Sequence, residues 1–204
     1  ARIRAPMRSW VCVACAVVLA FPAGARAGQP AKGGAGSLSP AQAEALVREV
    51  SATVERLRRL RFKTPVAVEV VDSAAARKDF ESQLDDAERE KARLTRDAWV
   101  HIGLVAAGTD LVAAHLDTAE KDVVGYYQSK SKTFRLLSHV SEREVRSVMA
   151  HELTHALEDQ HYDLEALQKT AANEDQSVAI RAVVEGSAMV TTLADLGFSD
   201  TGVS

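Results

Sequence analysis

Cysteine is almost missing from this chain. There are two in 204 residues, Cys12 and Cys15, and both fall in the first segment. That segment reads as a cleaved secretory signal, so the processed chain would hold no cysteine at all. Disulfides and thiol chemistry are then excluded together. A surplus of positive charge is also missing. The formal net charge is −3 and no basic patch stands out, which argues against nucleic acid as the main partner. Long apolar runs are the third absence. The stretch from Trp10 to Phe21 is apolar but too short to span a bilayer comfortably. No internal repeat is visible.

What is present suits one globular domain with extra sequence at its ends. Apolar residues make up 47% of the chain, enough to build a core. Residues 1–27 have the three parts of a signal peptide. Arg2, Arg4 and Arg8 form a positive start, Trp10 to Phe21 the apolar middle, and Ala25-Arg26-Ala27 a cleavage site. A secreted or periplasmic location follows as an expectation, with no membrane span in the mature chain. Loss of the signal removes four arginines and no acid, leaving the remainder more acidic. Residues 28–38 are rich in Gly and Ala and read as a flexible linker.

From residue 39 the pattern becomes periodic. Ser39-Pro40 is a helix start, a capping hydroxyl followed by Pro in the first turn. Leu46, Val50, Val54 and Leu57 recur at helical spacing, so a helix is expected to about Leu60. Val66 to Val71 suits a strand. Asp72 or Ser73 can cap one charged helix running to about Arg96, followed by an apolar turn region ending at Gly108. Asp110 to Ala119 reads as a short helix. Val123 to Gln128 and Thr133 to Leu137 flank a polar turn and predict a β-hairpin. Ser141 with Glu144 forms a capping box opening a helix through His155 towards His161. A last helix spans about Asp175 to Leu196. The expected class is α+β, mostly helical, with a small antiparallel hairpin or sheet packed on the helix that begins near Ser141.

That helix carries the chemistry. His151-Glu152-Leu153-Thr154-His155 is an H-E-x-x-H pattern in a chain with six histidines. Residues four apart sit one above the other on a helix face, so two imidazoles can share one metal ion. The glutamate between them is aimed at the open position of the metal and can act as general base. Nitrogen ligands with a single carboxylate favour zinc over magnesium or calcium.

A catalytic zinc takes three protein ligands. Two residues compete for the third place. Glu185 lies in a helical stripe with Val178, Ala182, Met189 and Leu196, where a carboxylate is costly unless paired or metal-bound. His161 fits the longer spacing H-E-x-x-H-x-x-G-x-x-H, except that Glu158 stands where a helix-ending glycine is needed. A non-glycine residue in that left-handed conformation costs roughly 1–2 kcal/mol, and the segment Ala156 to Gln160 favours helix. The balance favours Glu185.

The segment Ala150 to Leu157, with Glu185 downstream, resembles the gluzincins, the thermolysin-like clan of zinc metallopeptidases. More specifically, it resembles secreted bacterial HExxH proteins. They share a hairpin of the type Val124-Gly125-Tyr126-Tyr127, the segment 150–164 and Val184-Glu185-Gly186. The resemblance covers about residues 104–190. It implies a zincin-like domain over residues 39–204 and Zn2+ held by His151, His155 and Glu185. It also implies hydrolysis of a peptide or protein substrate with Glu152 as catalytic base. The chain departs from the family at two points. Met189 stands where thermolysin-like enzymes place an Asp that orients a zinc-bound His, leaving Asp159 or Asp195 as replacements. A clear C-terminal lobe is missing, so the domain reads as minimal or cut short. Tyr126, Tyr127, His161 and Tyr162 are the candidate donors to a developing oxyanion. An inactive metal-binding scaffold and a zinc hydrolase of peptidoglycan peptides are the alternatives.

Overall fold

The structure, a computed structural model, describes residues 38–138 and 142–198. The signal segment, nearly all of the linker, and Ser141 with its expected capping box lie outside the described residues. Leu38, counted with the linker from sequence, is buried in the core and leads directly into the first helix.

Helix α1 (Pro40–Arg58) starts as its sequence predicts. The Ser39 hydroxyl accepts from the Gln42 backbone N–H, and the Gln42 side chain accepts from the Ser39 N–H. Its inward face is Ala43, Leu46, Val47, Val50 and Val54. Strand β1 (Ala67–Val71) follows. The charged stretch expected to be one helix is two, α2 (Ser73–Gln83) and α3 (Asp86–His101). Leu84 turns extended, and the Asp85 carboxylate caps α3 by accepting from the Glu88 N–H at 2.9 Å. Aspartate competes for the backbone in this way and so prefers a cap to a helix interior. After a turn at Gly103 the chain forms α4 (Leu111–Asp122), capped by Asp110.

Strands β2 (Gly125–Gln128) and β3 (Thr133–Leu137) form the expected hairpin, with Lys132 in the left-handed conformation at its turn. The sheet is not purely antiparallel, as the sequence suggested. β1 adds to β3 in parallel, Ala67 opposite Thr133 through Val71 opposite Leu137, giving the order β1-β3-β2. A parallel partner needs a long crossover, here α2, α3 and α4, and hydropathy patterning does not name the partner of a strand. β2 is left as an edge.

One face of the sheet meets α2, where the Phe80 and Tyr126 rings lie 4.7 Å apart. Asp79 accepts from the Tyr126 hydroxyl at 2.6 Å and pairs with Arg135 at 2.9 Å. The other face meets α5 (Glu142–Tyr162), which also packs on α1 and on the last helix, α7 (Glu174–Asp195). The unforeseen α6 (Leu164–Lys169) fits between them. Asp163, left-handed at φ 48°, ends α5 and caps α6 by accepting from the Ala166 N–H. By length and composition alone α7 could cross a membrane, but in the folded chain it lies against α5 and α1.

Gly125 is required by space. A Cβ there would sit 2.9 Å from Phe134 Cζ and 3.0 Å from the Arg135 carbonyl oxygen. Phe134 is fully buried and cannot retreat. Gly125→Ala is expected to lower stability by about 1–3 kcal/mol through overpacking, read as a lower urea midpoint with an unchanged denaturant slope.

Candidate metal centre

Residues 149–159 of α5 are all buried. Their apolar members, Met149, Ala150, Leu153, Ala156 and Leu157, are completely enclosed. The polar members therefore need partners inside the protein. His151 and His155 face the same way, as residues four apart on a helix must. Their Nε2 atoms stand 3.0 Å apart. Glu185, reaching in from α7, places Oε2 3.2 Å from the first and 3.4 Å from the second.

These three atoms form a triangle with edges of 3.0–3.4 Å. Ligands about 2.0 Å from a tetrahedral zinc are separated by about 3.3 Å, so the three atoms share a point at zinc-ligand distance. Two ring nitrogens and a carboxylate oxygen converge on one centre. In a buried site that is unfavourable unless a proton or a cation lies between them. The donor set of two nitrogens and one oxygen fits zinc. His151 and His155 are almost fully enclosed, whereas the Glu185 side chain is 30% exposed, so the cluster opens to solvent on one side.

Glu152 lies beside this triangle, 3% exposed. Its Oε2 accepts from the Tyr127 backbone N–H at 2.9 Å. Burial pushes its carboxyl above the usual range, against the two imidazoles and the Tyr127 N–H, which pull it down. For His155, burial is the largest influence and lowers the ring's pKa. The Glu185 contact and the charges of Glu152, Glu185 and Glu158 together outweigh it, so the net shift is upward.

The bond to Glu152 comes from the open edge of the sheet. Leu137 N–H donates to the Val124 carbonyl, so in the β2–β3 ladder Tyr126 and Gln128 are the residues bonded to β3. The backbone groups of Gly125 and Tyr127 turn the other way. The outer rim of β2 therefore runs past the general-base candidate.

Several expected residues go elsewhere. His161 bonds the Arg61 carbonyl at 2.8 Å, because α5 continues as helix through Glu158 to Tyr162 and carries the ring away from the cluster. The tyrosine hydroxyls at 126 and 127 are bonded to Asp79 and Asp159, on opposite sides of the sheet, and Tyr162 is exposed at the helix end. Neither acid proposed to orient a ligand histidine does so. Asp159 accepts from Tyr127 Oη, Lys132 Nζ and the Leu164 N–H, and Asp195 pairs with Arg146 at 3.5 Å. The Nδ1 atoms of both imidazoles are buried without a hydrogen-bond partner among the described residues. Met189 sits within α7.

The apolar stripe points to Glu185 partly for the wrong reason. The stripe it shares with Val178 and Leu196 is not the buried face, since those two are 51% and 42% exposed. The packed face of α7 is Ser177, Val184, Ala188, Thr191 and Thr192. Glu185 flanks that seam and bends over it to the imidazoles. Sequence reading missed Tyr127 as the backbone partner of Glu152 and Glu158 as a buried node. The second is bonded to Arg58 at 2.6 Å and to Ser187 at 2.5 Å. Only the enclosure of α5, which one sequence does not reveal, marks Glu158 as more than a solvated helix acid.

Tyr127→Phe removes one donor from the enclosed Asp159 carboxylate while leaving the backbone bond to Glu152. The expected loss is about 1–2 kcal/mol of folding stability, checked by equilibrium urea denaturation. No family model, curated protein or solved structure gives a significant match to this chain.

Proposed function

We propose that this chain is a zinc-dependent metallopeptidase with a zincin-like arrangement of active-site helix, edge strand and glutamate-bearing helix. The observation that carries the proposal is the convergence of His151 Nε2, His155 Nε2 and Glu185 Oε2 at 3.0–3.4 Å, with the Glu152 carboxylate beside them. His151, His155 and Glu185 would hold the ion. Zinc bound there supplies a Lewis acid for the scissile carbonyl and for the attacking water.

The chain's own groups supply the rest. Glu152 takes the proton from the attacking water as its oxygen adds to the carbonyl carbon. It returns that proton to the leaving nitrogen as the C–N bond breaks. The Tyr127 N–H holds the carboxylate in place before substrate arrives. It acts on Oε2 through one bond and so limits the search for a productive orientation. β2 is an edge strand whose rim runs beside Glu152, so an extended peptide added to that edge would pass the metal. This favours a peptide substrate in extended form. Secretion and removal of residues 1–27 remain part of the proposal and are tested by the N-terminal sequence of the exported protein.

Metal analysis of the purified protein is expected to find one zinc per chain. Glu185→Ala is expected to lose the metal and His161→Ala to keep it. Glu152→Gln is expected to retain zinc while turnover of casein or a quenched peptide falls by about 10²–10⁴-fold. A wild-type chain that takes up no zinc, or a Glu152→Gln variant as active as wild type, overturns the reading. Cleavage of wall fragments in place of peptides would move the substrate class to peptidoglycan.

A further inference from the structure

Glu158 is not used by the mechanism, yet it is a carboxylate 5% exposed within the enclosed part of α5. Its Oε1 accepts from Arg58, the last residue of α1, at 2.6 Å and from the Ser187 hydroxyl on α7 at 2.5 Å. A buried ion pair of this kind is seldom worth more than a well-packed apolar residue. One attested use of such a pair is to specify one arrangement over others, and here that arrangement would be the setting of α7.

The seam of α7 against α5 is built from Val184, Ala188 and Thr191, all nearly inaccessible. Val184 and Ala188 are apolar and the Thr191 hydroxyl is bonded within α7 to the Ser187 carbonyl, so among the described residues the polar contacts of this stretch with α5 are those of Glu185 and Ser187. Successive residues advance by about 100° around a helix. Glu185 therefore lies on one flank of Val184, and Ser187, three residues on, lies on the other. The two flanking side chains meet neighbouring turns of one α5 face, since His151, His155 and Glu158 are spaced four and three residues apart. One ends at His151 and His155, the other at Glu158. A rotation that withdraws Glu185 from the imidazoles also breaks the bond between Ser187 and Glu158.

We propose that Glu158, held by Arg58 and gripping Ser187, is a positioning residue that sets the rotation of α7 and so presents Glu185 to the metal. It touches neither the ion nor the substrate. Its effect passes through the helix to a ligand two residues away. The inference rests on the metal reading above and adds to it a determinant of metal affinity outside the ligand set.

The test is zinc affinity of the full chain, measured by competition with a chromophoric chelator on protein shown by circular dichroism to be folded. Thermal denaturation of the metal-free form is recorded beside it. Ser187→Ala is expected to weaken zinc binding about tenfold with helical content unchanged, and Ser187→Thr, which keeps the hydroxyl, to restore most of it. Glu158→Gln keeps an acceptor but loses its charge pair and is expected to fall between wild type and Ser187→Ala. A Ser187→Ala protein that melts earlier but binds zinc like wild type assigns the contact to packing alone and overturns the proposal. So does a Ser187→Thr protein no better than Ser187→Ala. A wild type that binds no zinc fails the metal reading itself and takes this inference with it. Zinc-binding wild type with unaffected variants fails this inference alone.

Discussion

Between Met149 and Asp159 every residue of α5 is buried. Six of these eleven residues are polar: His151, Glu152, Thr154, His155, Glu158 and Asp159. Burying a polar group without a partner costs a large part of a small protein's net stability. The surroundings of α5 are therefore shaped to answer it residue by residue. Thr154 returns its hydroxyl to the Ala150 carbonyl. Glu158 draws on α1 and α7, Asp159 on the hairpin and on α6, and Glu152 on the edge strand. The imidazoles draw on Glu185, and the three side chains converge on one point. On the proposed function a cation would sit at that point, as Arg58 and Lys132 sit beside Glu158 and Asp159.

The parts of this arrangement that were legible in the sequence are those encoded locally. The Ser39 cap, the hairpin and the one-turn spacing of the two histidines are short-range patterns with direct physical meanings. The break at Leu84 was also local. The Asp85-to-Glu88 spacing signals a cap, but the charged run around it reads as one helix because hydropathy does not change there. What could not be read depends on contacts between distant segments. The parallel pairing of β1 with β3 is one example. The true inward face of α7 is another, since Ser177, Thr191 and Thr192 are buried while Val183 and Val190 are exposed. Hydrophobicity assigns that helix the wrong face. Glu185 lies in a stripe that is largely exposed, so its reach to the imidazoles depends on the packing of α7 on α5 and is not legible in that pattern.

Tyr127 links the sheet to α5 at two points. Its N–H meets Glu152 and its hydroxyl meets Asp159, seven residues further along the helix. Contacts two helical turns apart prevent the edge strand from sliding or tilting along α5. On the proposed function, the register between an added peptide strand and the general base is set when the protein folds, not when substrate binds. Lys132 strengthens this by pairing with Asp159 from the hairpin turn, where its own left-handed backbone carries some strain.

The far end of α5 is stitched to the connection between α1 and β1. Gln160 accepts from the Lys63 and Thr64 amides and donates to the Thr64 carbonyl, His161 meets the Arg61 carbonyl, and Glu158 meets Arg58. The paired residues are 96–100 positions apart in sequence. Contacts of that range close large loops and are slow to form. While the chain is being synthesised, the first helix and first strand must wait for residues near 160 to emerge before they gain their partners. Until then α1 and β1 have each other, and the parts of their apolar faces that meet α5 and β3 stay uncovered.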